Sequence, residues 1–317
     1  MSRIDQNLVT LHIMNATDNT SKVLVTGAGG FLGKYLMRQL SLTHNDSDIV
    51  TLGTATDNNY IADLTTSAPQ LPEKFTTVYH LVGSCFGSKC HDINVDATAN
   101  LLKGFESCLP RQIVYISTTE VYGKTEGEDI DETCPTLPSS AAGKAKLEAE
   151  QMLQQWCSEK GVTLSILRSP AIVGTGMQGP MRQLVNDIYR GSYHHIADDQ
   201  ARTSVIHAVD VAQAAVAIAP IGGIYNLTDG VNPTRHDLAD ALASRMGKKI
   251  LTLRLSRARS WAKINDFLPF TSLNSRRLSQ LTTTLTYSSN RLFEKLNWRP
   301  NSVTQYLLTH VYDENSL

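Results

Sequence analysis

The chain has no apolar run long enough to cross a bilayer, no basic excess and few cysteines, and each absence narrows what it can be. Lysine plus arginine number 29 against 30 acidic residues, a formal net charge of −1. A polyanion therefore meets no overall attraction, and no nucleic-acid partner is expected. Five cysteines without a regular framework fit thiols in a reducing compartment rather than a disulfide scaffold. Cys85 and Cys90-His91 form the one cluster with metal-ligand chemistry; no second pair stands at zinc spacing, so no metal is expected. The start of the chain has one basic residue, Arg3, and a short apolar piece, Leu8 to Met14, broken by Thr10 and His12. That is no signal peptide, and a cytoplasmic protein with no membrane partner is expected. Two local absences matter for chemistry. No Lys or Arg occurs from Ser41 to Glu73, and no tyrosine lies between Tyr122 and Tyr189.

What is present is an ordinary core-forming composition, 41% hydrophobic and 19% charged over 317 residues, enough for one large or two modest domains. Residues 1–21 are expected to be a flexible extension. Val23 to Thr26 then reads as a buried strand, glycines follow at 27, 30 and 33, and Leu32, Tyr35, Leu36 and Leu40 stand at the spacing of an apolar helix face. A glycine-rich turn between strand and helix brings backbone N–H groups and a helix N-terminus onto a pyrophosphate. Further strands are expected at Ile49 to Leu52, Thr76 to Val82, Gln112 to Ser117 and Thr163 to Leu167. Helices are expected at Asp92 to Cys108 and from a Ser139 or Ser140 cap to about Lys160, stopped by Gly161. Alternating units of this kind predict an α/β fold, a Rossmann-type doubly wound parallel sheet. After Pro170 the rhythm breaks. The expected division is a dinucleotide-binding domain over 22–173, with 204–220 returning to it, and a smaller substrate lobe built from 174–203 and 221–317.

At Ser117-Thr118-Thr119-Glu120-Val121-Tyr122-Gly123 the chain resembles the extended short-chain dehydrogenase/reductase family, the NAD-dependent nucleotide-sugar epimerases and dehydratases. The marks are spread along the chain. They include the G-x-x-G-x-x-G turn, Val78-Tyr79-His80-Leu81-Val82-Gly83, Asn94-Val95 followed by Asn100-Leu101-Leu102, and Lys146-Leu147-Glu148-Ala149-Glu150. Leu167-Arg168-Ser169-Pro170, Val205-Ile206-His207-Ala208-Val209-Asp210-Val211 and Leu296-Asn297-Trp298-Arg299-Pro300 complete the series. The resemblance implies that Gly27, Gly30, Phe31, Leu32 and Gly33 cradle the pyrophosphate. It also implies that Asp63 and Leu64 border the adenine and that Leu81, Val82 and Lys146 complete the cofactor site. With Gly53-Thr54 at the end of the second strand and no nearby cation, NAD is expected, with NADP left open through Lys34 and Arg38.

In this family a Tyr one helical turn before a Lys exchanges a proton with a sugar hydroxyl, its phenol made more acidic by the ammonium. Here the lysine is Lys146, and Ala142 stands at the tyrosine position. Thr118 matches the hydroxyl that bonds the reacting oxygen, and Glu120 the carboxylate that serves as base in sugar-nucleotide dehydratases. An active site of this family is expected to leave room for a ring at position 142. Arg202 is expected on a nucleotide pyrophosphate, as a guanidinium suits phosphate oxygens. The implied protein is an epimerase, dehydratase or reductase of a nucleotide sugar with altered acid/base chemistry, and a homodimer. A silent dinucleotide-binding sensor or scaffold is the alternative. A small-molecule dehydrogenase outside sugar metabolism is a third.

Overall fold

The computed structural model describes residues 22–83, 89–197, 199–266 and 274–309. Its centre is a parallel sheet of seven strands: β1 (Val23–Thr26), β2 (Ile49–Gly53), β3 (Tyr60–Ile61), β4 (Thr77–His80), β5 (Gln112–Thr118), β6 (Thr163–Ser169) and β7 (Gly223–Asn226). Their spatial order is β7-β6-β5-β4-β1-β2-β3. The order reverses at β1, which pairs with β2 on one side and β4 on the other. This is the Rossmann-type arrangement, in which ligands bind outside the carboxyl ends of the strands at the reversal.

The helices that cover the sheet or build the smaller lobe include α1 (Phe31–Leu40), α2 (Ala97–Lys103), α3 (Ala141–Lys160), α4 (Gly179–Tyr189), α5 (Ala208–Ile218) and α6 (Arg235–Arg245). The strands read as continuous apolar runs because both sheet faces are covered. Side chains alternate between the faces. Val23, Val25, Val114 and Leu167 join Leu36 and Leu40 of α1 and Val211, Ala215 and Ile218 of α5 in one core. Leu24, Val78, Ile113 and Ile166 join Leu101 of α2 and Ala149, Leu153 and Cys157 of α3 in the other. A third core belongs to the smaller lobe and gathers Met181 and Val185 of α4, Leu238 and Leu242 of α6, Val303 and Leu307. Among the described residues no helix is long and apolar enough to cross a membrane.

Two sequence expectations change. Gly223–Asn226, expected in the substrate lobe, is the seventh strand of the central sheet: Ile224 pairs with Ile166 and Tyr225 with Leu167. Its sequence has no mark of which sheet it joins; only the facing strand decides. The helix expected from Asp92 opens instead with a π turn over Asp92–Asp96 and ends at Lys103. Side chains claim carbonyls there, Asn94 Nδ2 donating to Cys90 O and Thr98 Oγ1 to Asn94 O, both at 2.6 Å. Such bonds compete with the α-helical ladder. Helix α3 has the expected ends: Ser140 Oγ accepts from Gly143 N at 3.0 Å, and Gly161 ends it at φ +68°.

A buried polar network ties α3 to the sheet. Arg168 on β6 donates to both carboxylate oxygens of Glu150, at 3.1 and 2.6 Å. It also donates to the Tyr122 hydroxyl at 3.1 Å, which donates in turn to Asn226 Oδ1 at 2.7 Å. Removing one partner of such a pair strands a charge in the core. Arg168→Met is therefore expected to lower the urea unfolding free energy by about 3–5 kcal/mol. The double change with Glu150→Leu is expected to recover most of it.

On α5, Asp210 is 1% exposed, and one of its carboxylate oxygens has no partner. The other accepts from Asn301 Nδ2 at 3.4 Å. Burial pushes this carboxyl up from 3.8 to about 7. A group that holds its proton more tightly when folded stabilises fully below its unfolded value. That contribution is lost as pH rises through the folded value. Melting curves at about pH 4 and about pH 8 are expected to show Asp210→Asn unchanged at the first and more stable than the parent at the second.

Candidate active site

At the end of β1 the chain turns sharply, and the turn tolerates little besides glycine. Gly27 sits at φ +73°, and a Cβ there would meet Val82 N at 3.1 Å and Leu81 C at 3.2 Å. A Cβ on Gly33 would overlap the carbonyl oxygens of Gly27 and Ala28, so α1 crosses the turn at backbone contact. Gly30 differs. It is exposed, and its Cβ would meet only Gly27 O, at 3.2 Å. It is the N-cap of α1 and supplies no side-chain cap, whereas Ser140, His207 and Thr234 cap α3, α5 and α6. Among the described residues, the first N–H groups of α1, including those of Phe31 and Leu32, thus have neither intrahelical nor capping partners. An uncapped helix start at the strand-order reversal, kept open by the missing side chain of Gly30, fits a dinucleotide pyrophosphate.

The other wall of the crevice is Leu81-Val82-Gly83, after β4, and two residues to which the sequence reading gave no role, Thr26 and His80, hold it in place. Thr26 Oγ1 accepts from Leu81 N at 3.2 Å and Val82 N at 3.4 Å, and lies 2.8 Å from His80 Nδ1. His80 Nε2 is 3.0 Å from Thr98 Oγ1, whose proton goes to Asn94 O. The Thr98 oxygen must then accept from Nε2–H, which leaves Nδ1 to accept from Thr26. Burial, aided by the Lys146 charge, pushes His80 down to about 3. The ring therefore stays neutral in this one tautomer and pins the loop that borders the cofactor crevice.

Leu64 and Asp63 are the residues expected at the adenine. Leu64 is buried, and its carbonyl accepts from Asn100 Nδ2 at 2.8 Å. Asp63 is exposed, and its carboxylate closes a turn on Thr65 N at 2.9 Å and Thr65 Oγ1 at 2.7 Å. The Thr65 hydroxyl holds that carboxyl below its ordinary range. Past β2, Asn59 Oδ1 accepts from Thr51 N at 2.9 Å, and Asn58 Nδ2 donates to Ala55 O. The end of β2 is dressed by amides and hydroxyls rather than by cations.

Helix α3 presents residues 142, 146 and 150 one turn apart on one face. Lys146 is 5% exposed and donates to Ile116 O at 2.8 Å. Its Nζ lies over the Tyr115 ring, 4.6 Å from the centroid, and a Cβ on Gly83 would come within 2.5 Å of it. The lysine is thus brought to the cofactor wall. Thr118 caps the turn Thr119–Tyr122, its Oγ1 accepting from Glu120 N at 3.2 Å. Glu120 is exposed, and its carboxylate accepts from the Ser140 hydroxyl at 2.6 Å, which joins it to the start of α3. Ala142 is 5% exposed and belongs to an apolar cluster with Cys90, Val95 and Ala145. Val95 of the π turn is one of the residues packed against this part of α3. Arg202 lies apart, in the smaller lobe. It is exposed and bridged to Thr234, with Nη1 donating to Asn232 O at 3.1 Å. Cys85 lies outside the described residues. Cys90 is buried, and its neighbour His91 is paired on the surface with Asp96 at 3.9 Å and Glu148 at 3.7 Å.

Residues 23–227 match the model of the NAD dependent epimerase/dehydratase family. The chain belongs to that family. It is 25% identical over 171 residues to an N-acetyl-α-D-glucosaminyl-diphospho-ditrans,octacis-undecaprenol 4-epimerase of Escherichia coli O157:H7, a match covering 52% of this chain and 51% of the relative. The chain thus spans about half the length of that relative. It is 24% identical over 245 residues to the GDP-6-deoxy-D-mannose reductase of Pseudomonas aeruginosa, covering 71% of this chain and 80% of the relative. Among solved structures, RMD from Pseudomonas aeruginosa complexed with NADPH superposes with a TM-score of 0.68 at 20% identity, over 91% of this chain and 97% of that one. MoeE5 in complex with UDP-glucose and NAD gives 0.70 at 20% identity, over the same shares. These likenesses show the fold.

Gly33 and Gly30 are expected to fail in different ways. Gly33→Ala should lower the thermal midpoint, since its Cβ strikes backbone that cannot retreat. Gly30→Val should fold normally and lose dinucleotide binding in a calorimetric titration, because its branch fills the space over the helix start.

Proposed function

We propose that this protein binds NAD(H) and catalyses hydride transfer at a carbon of a sugar joined to a nucleoside diphosphate or a related diphosphate. The observation that carries the reading is Lys146, a buried ammonium held by Ile116 O against Gly83 at the cofactor wall. Bound NAD(H) supplies or takes the hydride. Lys146 anchors the nicotinamide-side ribose and keeps a fixed positive charge beside the reacting centre. Thr118, its oxygen already accepting from Glu120 N, has its proton to donate to a sugar oxygen. With no phenol at Ala142, the proton of the sugar hydroxyl passes to Glu120, whose carboxylate is fixed by Ser140. Arg202 binds the diphosphate. The family description and the sugar diphosphates in the relatives' names support the substrate class. NAD is favoured over NADP by the uncharged end of β2.

The second reading is a dinucleotide-binding protein without turnover, and the burial of Ala142 among Cys90, Val95 and Ala145 favours it. The full-length protein, supplied with NAD(H) and a panel of UDP-, GDP- and dTDP-linked sugars, separates the two readings by chromatography of products. Conversion that disappears in Lys146→Met supports the enzyme; tight NAD binding with no sugar converted supports the silent binder. For an active pair, Glu120→Gln is expected to reduce kcat by about 100-fold or more with NAD affinity and melting temperature unchanged. A mere helix-cap role would move the melting temperature instead. Arg202→Ala is expected to weaken sugar-nucleotide binding by roughly 1.5–3 kcal/mol while sparing the cofactor.

A further inference from the structure

The chain is nearly neutral overall, yet one segment is not. From Lys248 to Asn265 it carries Lys248, Lys249, Arg254, Arg257, Arg259 and Lys263, and no Asp or Glu. The first acid beyond, Asp266, is committed to Ser275, accepting from its N at 2.8 Å and its hydroxyl at 2.6 Å. The segment forms a short strand, Leu251–Leu253, and helix α7 (Leu255–Asn265). The inner face of α7 is small and apolar: Ala258 and Ala262 are fully buried with Ile196 and Leu278, and Leu253 packs against them.

The outer face is unlike an ordinary solvated helix. Arg257, Trp261 and Ile264 stand at i, i+4 and i+7, one stripe along the helix. Trp261 is 62% and Ile264 63% exposed. Leu251, on the strand that precedes α7, is also 68% exposed. On α7 itself two large apolar side chains thus project among cations instead of lining a groove.

We propose that the outer face of α7 docks the protein on the surface of an anionic phospholipid bilayer. Charge complementarity selects the surface, since lysines and arginines near acidic headgroups add attraction cumulatively. The projecting tips select hydrocarbon over a nucleic acid or an acidic protein: Ile264 offers nothing to stack on a base, and projecting side chains insert rather than receive. A helix with Trp and aliphatic residues on one flank and cations around them lies in the interfacial plane. The sequence-based expectation of no membrane partner rested on the lack of a spanning run, a criterion that a surface helix escapes. Docking of this kind is independent of the proposed catalysis.

The test uses the full-length protein and sedimentation with vesicles of phosphatidylcholine alone or mixed with phosphatidylglycerol. Binding is expected to the mixed vesicles, to be weak to phosphatidylcholine, and to fall with added salt. Each of Arg257→Ala and Arg259→Ala should weaken it by about 5-fold, and Trp261→Ser with Ile264→Ser by about 10-fold or more. Brominated lipid should quench tryptophan fluorescence in the parent and not in Trp261→Phe. Because all four side chains are exposed, unchanged circular dichroism and melting should accompany these losses. Absence of binding to the mixed vesicles overturns the proposal. So does binding that the α7 variants leave intact. Tighter binding to heparin or duplex DNA than to vesicles, without quenching by brominated lipid, overturns it in favour of a soluble polyanion.

Discussion

The position of α3 depends on the buried pair between Glu150 and Arg168. A helix lying on a sheet by apolar contact alone can slide and roll at little cost, because hydrophobic burial has no direction. Two hydrogen bonds from one guanidinium to one carboxylate do have direction. They fix the rotation of α3 about its axis, and Lys146, one turn earlier on the same face, then meets Ile116 O and Gly83. Tyr122 and Asn226 extend the constraint to the turn after β5 and to β7, so that turn, the lysine helix and the sheet edge are held by one connected set of bonds. Unpairing any of these groups in the core is costly, which favours a single arrangement.

The cofactor crevice is built on a similar economy of contacts. Gly27 and Gly33 let β1, its turn and α1 approach at backbone distance, and Thr26 and His80 hold the facing loop by hydrogen bonds made in one tautomer. The burial that keeps His80 neutral also means that the loop does not respond to protonation in the physiological range. Rigid walls of this kind bind a ligand with little ordering cost.

Beside this frame, Ala142 is buried in a small apolar cluster with Cys90, Ala145 and Val95 of the π turn. Two polar links remain at that end of the helix: Ser140 caps α3 and bonds Glu120, and Glu120 N bonds Thr118.

Features set by local chemistry were legible in the chain by itself. The strand–glycine–helix start, the Ser140 cap and the Gly161 stop of α3, and the alternation of buried strands with helices all follow from φ/ψ limits, capping and periodicity within a few residues. So did the family, through motifs in order along the sequence. Features set by what faces what were not legible. Gly223–Asn226 resembles any short apolar strand until Ile166 and Leu167 are seen beside it. Glu150 and Arg168 are two charges in separate motifs until folding buries them together. His80 is one more polar residue at a strand end until Thr26 and Thr98 bracket its ring. Ala142 is one small residue on a helix until Cys90 and Val95 are seen packed against it, beside a π turn with side-chain bonds around Cys90 and Asn94. Propensity and spacing act over one or two turns of chain. Burial and pairing are decided between segments far apart in sequence, and only the tertiary structure brings them together.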